Sequence, residues 1–198
     1  MQRLEDIPDN SIRVFYLDPA TKFKTRSEKG MGRSAENHYR TLTWPELFAF
    51  AAQIDRIAAK DAVMIAFTTW PQLVKTLDFI AACDFTYKTC AFDWMKADVS
   101  TVDLFPDPKT ADMKMGYWTR SNSEPALLAT RGRPKRQKAD VRMGIIEPAR
   151  EHSRKPDCIY GRIERLVAGP YLELFSRTSR HGWICVGDEV GKFRAVTK

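Results

Sequence analysis

Residues 62–68 read Ala-Val-Met-Ile-Ala-Phe-Thr, an apolar run with no polar alternation. A strand with one wet face alternates; an unbroken run of this length belongs to a parallel strand covered on both faces. A chain holding such a strand must supply helices to both sides of a sheet. A second run, IRVFYL over residues 12–17, is apolar, β-branched and aromatic, and it stops at Asp18-Pro19. Taken alone, Asp-Pro after a strand reads as a turn.

The segments between and after these runs have helical character. Thr43-Trp44-Pro45-Glu46 is a helix start, with Thr43 as N-cap, Pro45 in the first turn and Glu46 closing a capping box. Apolar spacing through Leu47, Phe48, Ala51, Ile54, Ile57 and Ala58 predicts one amphipathic helix. Residues 71–82 predict a second, with Leu73, Leu77, Ile80 and Ala81 on one face. Residues 156–166 predict a third, opened by Pro156 and Asp157 and striped by Ile159, Ile163 and Leu166. Strands are expected at 85–95, 125–130, 141–147 and 171–177, with another in GWICVGDEV. Residues 96–115 lack periodicity and hold prolines among charges, which predicts a mobile surface loop. The alternation gives an α/β fold with a mainly parallel sheet, one domain over residues 1–198. It places Asp18, Thr68 and Arg177 near strand ends, where open α/β sheets form their ligand crevice.

Charge and composition limit the partners. The 198-residue chain has 32 Lys and Arg against 25 Asp and Glu, a net charge of +7. That excess favours a polyanion. Basic residues cluster after Asp18-Pro19 (Lys22, Lys24, Arg26, Lys29, Arg33) and again in TRGRPKRQK, residues 130–138. Such clusters suit a surface that follows phosphates, although solvated loops also carry them. No apolar run approaches the ~20 residues that span a bilayer. The N-terminus, MQRLEDIPDN, lacks the apolar middle of a signal peptide. Cys83, Cys90, Cys158 and Cys185 have no metal-ligand spacing, so a cytoplasmic protein with free thiols and no metal is expected.

In order along the chain, FYLDPATKFKTRSEKGMGRSAENHYRTL, AFTTWPQL, FTYKTCAFDWMK, GYWTRSNSEPALLATRGRPKR, AREHSRKPDCIYGRIERLVAGPYLELFSR and HGWICVGDEVGKF resemble the MT-A type N6-adenine methyltransferases. The likeness is greatest to phage and prophage members, which act on DNA. It implies a class I S-adenosylmethionine-dependent methyltransferase fold: a Rossmann-like sheet, helices on both faces, and permuted motifs with the catalytic step early. A Gly-rich dinucleotide fingerprint is missing, as that permutation implies.

The resemblance assigns roles by residue. Asp18 and Pro19 match the family's Asp-Pro-Pro-Trp motif, in which the Asp accepts from the adenine amine and the aromatic stacks on the extruded base. Ala20 and Thr21 replace its second proline and its aromatic, and activity weaker than in relatives is expected. Tyr39 and Trp44 are the candidates for a substitute face. Lys22 stands at the same turn, and Arg120, in Trp118-Thr119-Arg120, is expected against the nucleic acid, as are Arg131 to Arg136. Lys155, with Ser153 before it, matches the lysine that pairs with the carboxylate of S-adenosylmethionine. Glu173, Phe175 and Arg177 in ELFSR match the strand lining the cofactor, although plain core packing also accounts for Phe175. Gly187, Asp188 and Glu189 match the step that contacts ribose and adenine; Asp188 stands for an Asn, so it accepts but does not donate. His152 belongs to the signature around Lys155, while His38 and His181 are expected at the surface.

The expected partner is DNA rather than RNA, with no membrane, and with a homodimer or pairing to a related methyltransferase left open. The alternative, from the binding class, is a catalytically silent pseudo-methyltransferase that holds nucleic acid or an active homologue.

Overall fold

The two apolar runs lie side by side in the middle of a seven-stranded sheet. The computed structural model describes residues 3–21, 41–96, 118–119, 121–151 and 154–193. Its strands are β1 (Ile12–Leu17), β2 (Ala58–Phe67), β3 (Thr86–Lys96), β4 (Ser123–Arg131), β5 (Gly144–Glu147), β6 (Tyr171–Leu174) and β7 (Trp183–Val186), in the order β5-β3-β4-β2-β1-β6-β7. Every pairing is parallel except the two made by β4. Leu17 is in register with Ala66 on one side and Leu174 on the other, and Leu174 with Val186. The carboxyl ends of four parallel strands therefore share one rim. Because β4 runs the other way, its first residues, Ser123 and Glu124, come to that same rim.

Alternation explains why the central runs are apolar throughout. On β2, Ala62, Met64 and Ala66 enter one core while Val63, Ile65 and Phe67 enter the other. On β1, Phe15 and Leu17 face the first core and Val14 and Tyr16 the second. Ile12 also joins the first core, out of phase, because the β1–β2 register shifts between Ile12 and Val14. The first core is covered by α1 (Trp44–Phe48), α2 (Ala51–Ile57) and α3 (Leu73–Ala82), and the second by α4 (Cys158–Leu166). The expected α/β sheet with helices on both faces is what the chain forms.

Local chemistry sets the helix boundaries. Thr43 caps α1 as expected: its backbone N–H donates to Glu46 Oε2 at 2.7 Å and its Oγ1 accepts from the Glu46 N–H at 3.4 Å. The single helix expected through Ala58 is instead two. The Phe50 N–H donates to the Leu47 carbonyl, tightening the chain at residues 49–50, and Phe50 meets Phe175 edge-on with ring centroids 5.6 Å apart. Ala58 is already the first residue of β2. α3 also starts later than expected, after a 3₁₀ turn over Trp70–Gln72. Its buried face is Thr76, Phe79 and Ile80, with Leu73 and Leu77 beside them; Ala81 is exposed.

Apart from Lys96, which ends β3, the loop expected at 96–115 lies outside the described residues. Among the described residues no helix is long and apolar enough to cross a membrane. Phe79 is 1% exposed and packs edge-on against Phe48. Phe79→Ala is expected to lower unfolding free energy by ~3–5 kcal/mol in urea titrations, the usual cost of removing a buried phenyl ring.

Candidate functional site

β1 ends at the rim, and Asp18 is the next residue. The chain turns at once. The Thr21 N–H donates to the Pro19 carbonyl at 3.0 Å, and the Leu42 N–H donates to the Ala20 carbonyl at 2.8 Å. The Thr21 hydroxyl donates to Gln72 Oε1 at 2.5 Å, which ties this turn to the 3₁₀ turn after β2. Ala20 and Thr21 thus sit where expected, on the strand-end turn.

Lys155 reaches the same point from the turn before α4. Arg150 holds that turn, donating to Asp157 Oδ2 at 2.5 Å and to the Lys155 carbonyl at 3.2 Å. Asp157 stands at the helix start as expected, but its carboxylate takes Arg150 and Arg154 rather than capping the helix. Lys155 Nζ lies 2.8 Å from Asp18 Oδ1, 3.3 Å from Glu124 Oε2, and 4.9 Å from the centre of the Phe67 ring. Glu124 also pairs with Lys96. The result is an alternating row, Asp18–Lys155–Glu124–Lys96.

The row controls its own ionisation. Burial disfavours the Lys155 ammonium, but Asp18 and Glu124 outweigh burial and raise its pKa above the ordinary lysine value. Burial pushes the Glu124 carboxyl up, yet Lys155 and Lys96 prevail and hold it at about 2. Both groups are charged at neutral pH.

Asp18 and Lys155 line a crevice with Arg154, Glu173, Phe175 and Arg177. Glu173 is buried on β6, in register with Tyr16 and Cys185, and accepts from the Tyr160 hydroxyl at 3.1 Å. Burial pushes its pKa up to about 7 against the hydrogen bonds from Ser176 and Tyr160. Phe175 leaves the strand with φ +63°, lining the crevice while its ring packs on Phe50. The residue therefore packs against the core and borders the crevice at once. Arg177 Nε lies 3.3 Å from Glu189 Oε2, so Glu189 faces Arg177 and also Lys192, 2.5 Å away. Gly187 admits no side chain: a Cβ there would lie 2.4 Å from the Ser176 carbonyl oxygen. Asp188 is exposed beside it.

These residues suit an anionic, hydroxyl-bearing ligand. Arg154 Nε is buried without a hydrogen-bond partner among the described residues, a donor left over beside the Lys155 ammonium. Asp188 and Glu189 supply acceptors on the loop after β7.

Other expectations fall elsewhere. Lys22, His38, Tyr39, Arg120, His152 and Ser153 lie outside the described residues. Trp44 packs against Phe48, with Lys75 Nζ 5.7 Å from its ring centre. His181 is exposed. The cluster at 131–136 begins at the opposite end of the sheet, because Arg131 is in register with Ala62, and Arg131 itself pairs with Asp55 at 2.8 Å and Asp84 at 3.1 Å. It does not join the Asp18 rim. Glu124, Lys96 and Arg154 were not singled out from the sequence; a carboxylate just ahead of an apolar strand was the available signal for Glu124.

Comparison with known proteins agrees with this geometry. The MT-A70 family model matches residues 12–189. The chain belongs to the MT-A70 family. The mixed sheet with β4 reversed is the class I methyltransferase fold of that family, in its permuted order. The chain is similar to the type II methyltransferase M.MunI of a Mycoplasma species, 28% identical over 93% of this chain and 80% of that one. It is similar to the human N(6)-adenosine-methyltransferase catalytic subunit METTL3, 35% identical over 39% of this chain and 14% of that protein. An MT-A70-like N(6)-adenosine-methyltransferase of Arabidopsis thaliana is 30% identical over 43% of this chain and 13% of its own length.

Glu173 gives a pH signature. Its folded pKa of about 7 lies above the unfolded value of 4.5, so the native state binds the proton more tightly. Stability is expected to fall as pH rises from 4.5 to 7 and to level off beyond, by up to ~3 kcal/mol. Glu173→Gln, which keeps an acceptor for Tyr160, removes that slope in unfolding titrations and is the more stable protein above pH 7.

Proposed function

We propose that this MT-A70 protein is an S-adenosylmethionine-dependent methyltransferase acting on the exocyclic N6 amine of adenine in DNA. The observation that carries the reading is the 2.8 Å pair between Asp18 and Lys155 inside one crevice. A carboxylate for the amine and a cation for the cofactor's carboxylate stand at adjoining positions. The near-full-length match to a type II methyltransferase favours DNA over RNA.

Adenine's amine is a weak nucleophile because its lone pair is delocalised into the ring. When bound, the cofactor supplies an electrophilic methyl group on a sulfonium sulfur. Lys155 and the unpartnered Arg154 Nε hold its carboxylate, and Asp188 and Glu189 accept from its ribose hydroxyls. Asp18 Oδ2, the oxygen outside the Lys155 pair, accepts one amine N–H and can receive the proton the amine must lose. The Pro19 carbonyl, rigid because it already accepts from Thr21, has a second lone pair for the other N–H. Orientation of this kind lowers the barrier by fixing the approach of the nucleophile. A flipped base is required, since neither acceptor can reach into a duplex.

The absence of an aromatic at Ala20 and Thr21 favours a second reading, a silent fold that binds without methylating. Two measurements separate them. Calorimetry with S-adenosylmethionine is expected to show binding, weakened ~10- to 100-fold by Lys155→Met through loss of a charged hydrogen bond. Labelled methyl transfer to adenine-containing DNA is expected with the native chain and reduced at least ~10²-fold by Asp18→Ala. Cofactor binding with no transfer would leave the silent reading; no binding at all would overturn the cofactor assignment.

A further inference from the structure

Resting on that reading, we propose that Trp70 supplies the aromatic face on which the target adenine stacks, in place of the one missing from the turn after Asp18. Trp70 opens the 3₁₀ turn that follows β2, at the same rim as Asp18. Two hydrogen bonds fix its surroundings. Gln72, two residues on, accepts from the hydroxyl of Thr21, one of the residues standing where the missing aromatic would be. The indole N–H of Trp70 donates to Ser123 Oγ at 3.2 Å, and Ser123 precedes Glu124, a partner of Lys155. The indole edge is thus tied to the strand that carries Glu124, and the turn that bears the ring is tied to the turn after Asp18.

Trp70 is nevertheless 49% exposed and has no ring partner among the described residues. A large indole anchored by its N–H yet half in water is unused contact surface on the same rim as Asp18, and stacking a base needs such a π-face. Among the described residues, the other exposed or candidate aromatics do not offer this. Trp44 is covered by Lys75 and Phe48. Tyr87, 44% exposed, lies at the start of β3, and because β3 runs in the same sense as β2 it is at the far end of the sheet. Trp118 is fully exposed, with no contact to orient it among the described residues.

The test reads binding and catalysis separately in the native chain, Trp70→Ala, Trp70→Phe and Trp70→Leu, with melting temperatures verifying that each folds. Binding is measured by fluorescence anisotropy on a labelled single-stranded oligodeoxyadenylate and on an abasic strand of equal length. The native chain is expected to prefer the adenine strand by about 5- to 150-fold, the range set by one stacked base. Trp70→Ala and Trp70→Leu lose that preference and Phe retains most of it. Labelled methyl transfer to plasmid DNA should fall by a similar factor for Ala and Leu, in KM more than in kcat, and recover with Phe. An adenine preference that Trp70→Ala leaves unchanged, or that Leu restores as well as Phe, overturns the proposal even if methyl transfer is intact. No transfer by the native chain, with a preference that still depends on Trp70, overturns the enzyme reading and keeps this one. No adenine preference in the native chain overturns the stacking role outright.

Discussion

An ammonium taken out of water has to be answered by carboxylates, and the rim of this sheet is built around that requirement. Lys155 is only 13% exposed and meets Asp18 and Glu124, while Lys96 neutralises the second carboxylate in turn. Removing one partner from such a row leaves an uncompensated charge, which typically costs ~3–5 kcal/mol. The row therefore joins four separate parts of the chain: the end of β1, the end of β3, the start of β4 and the turn before α4. The reversal of β4 matters here. A parallel strand at that place would carry Glu124 to the other end of the sheet.

The same charges that stabilise the rim suit it to ligands. Asp18 engages Lys155 through Oδ1, and both side chains line the crevice. Around it the loops after β6 and β7 touch so closely that only glycine fits at residue 187. Phe175 adopts a left-handed backbone to turn out of the strand there. Such strain recurs where a strand end must be bent to line a site. The neutral pressure on Glu173, buried beneath, comes from the same exclusion of water.

Much of this was legible in the sequence, and the rest was hidden for identifiable reasons. Unbroken apolar runs gave β1 and β2 because both their faces are covered, and the Thr43–Glu46 box is a local motif whose geometry needs no tertiary help. Lys155 emerged only through family resemblance, since a lysine before a helix is ordinarily a solvated one. Periodicity could not show the break at residues 49–50, because it comes from a tightened turn and a ring contact with Phe175, far along the chain. Glu124 was invisible for a similar reason: its partners are remote in sequence and are reached only through an antiparallel strand. The place of the basic cluster from Arg131 onward, at the end of the sheet away from Asp18, was not legible because clustering of charge does not tell which end of a sheet it occupies.

The central claim is that Asp18 and Lys155 form one methyl-transfer pocket. It is tested most directly by mass analysis of digested DNA from a host without its own adenine methyltransferase, expressing either the native chain or Asp18→Ala. N6-methyladenine in the first and none in the second is the expected result. Its absence from both, or equal amounts in both, would contradict the account.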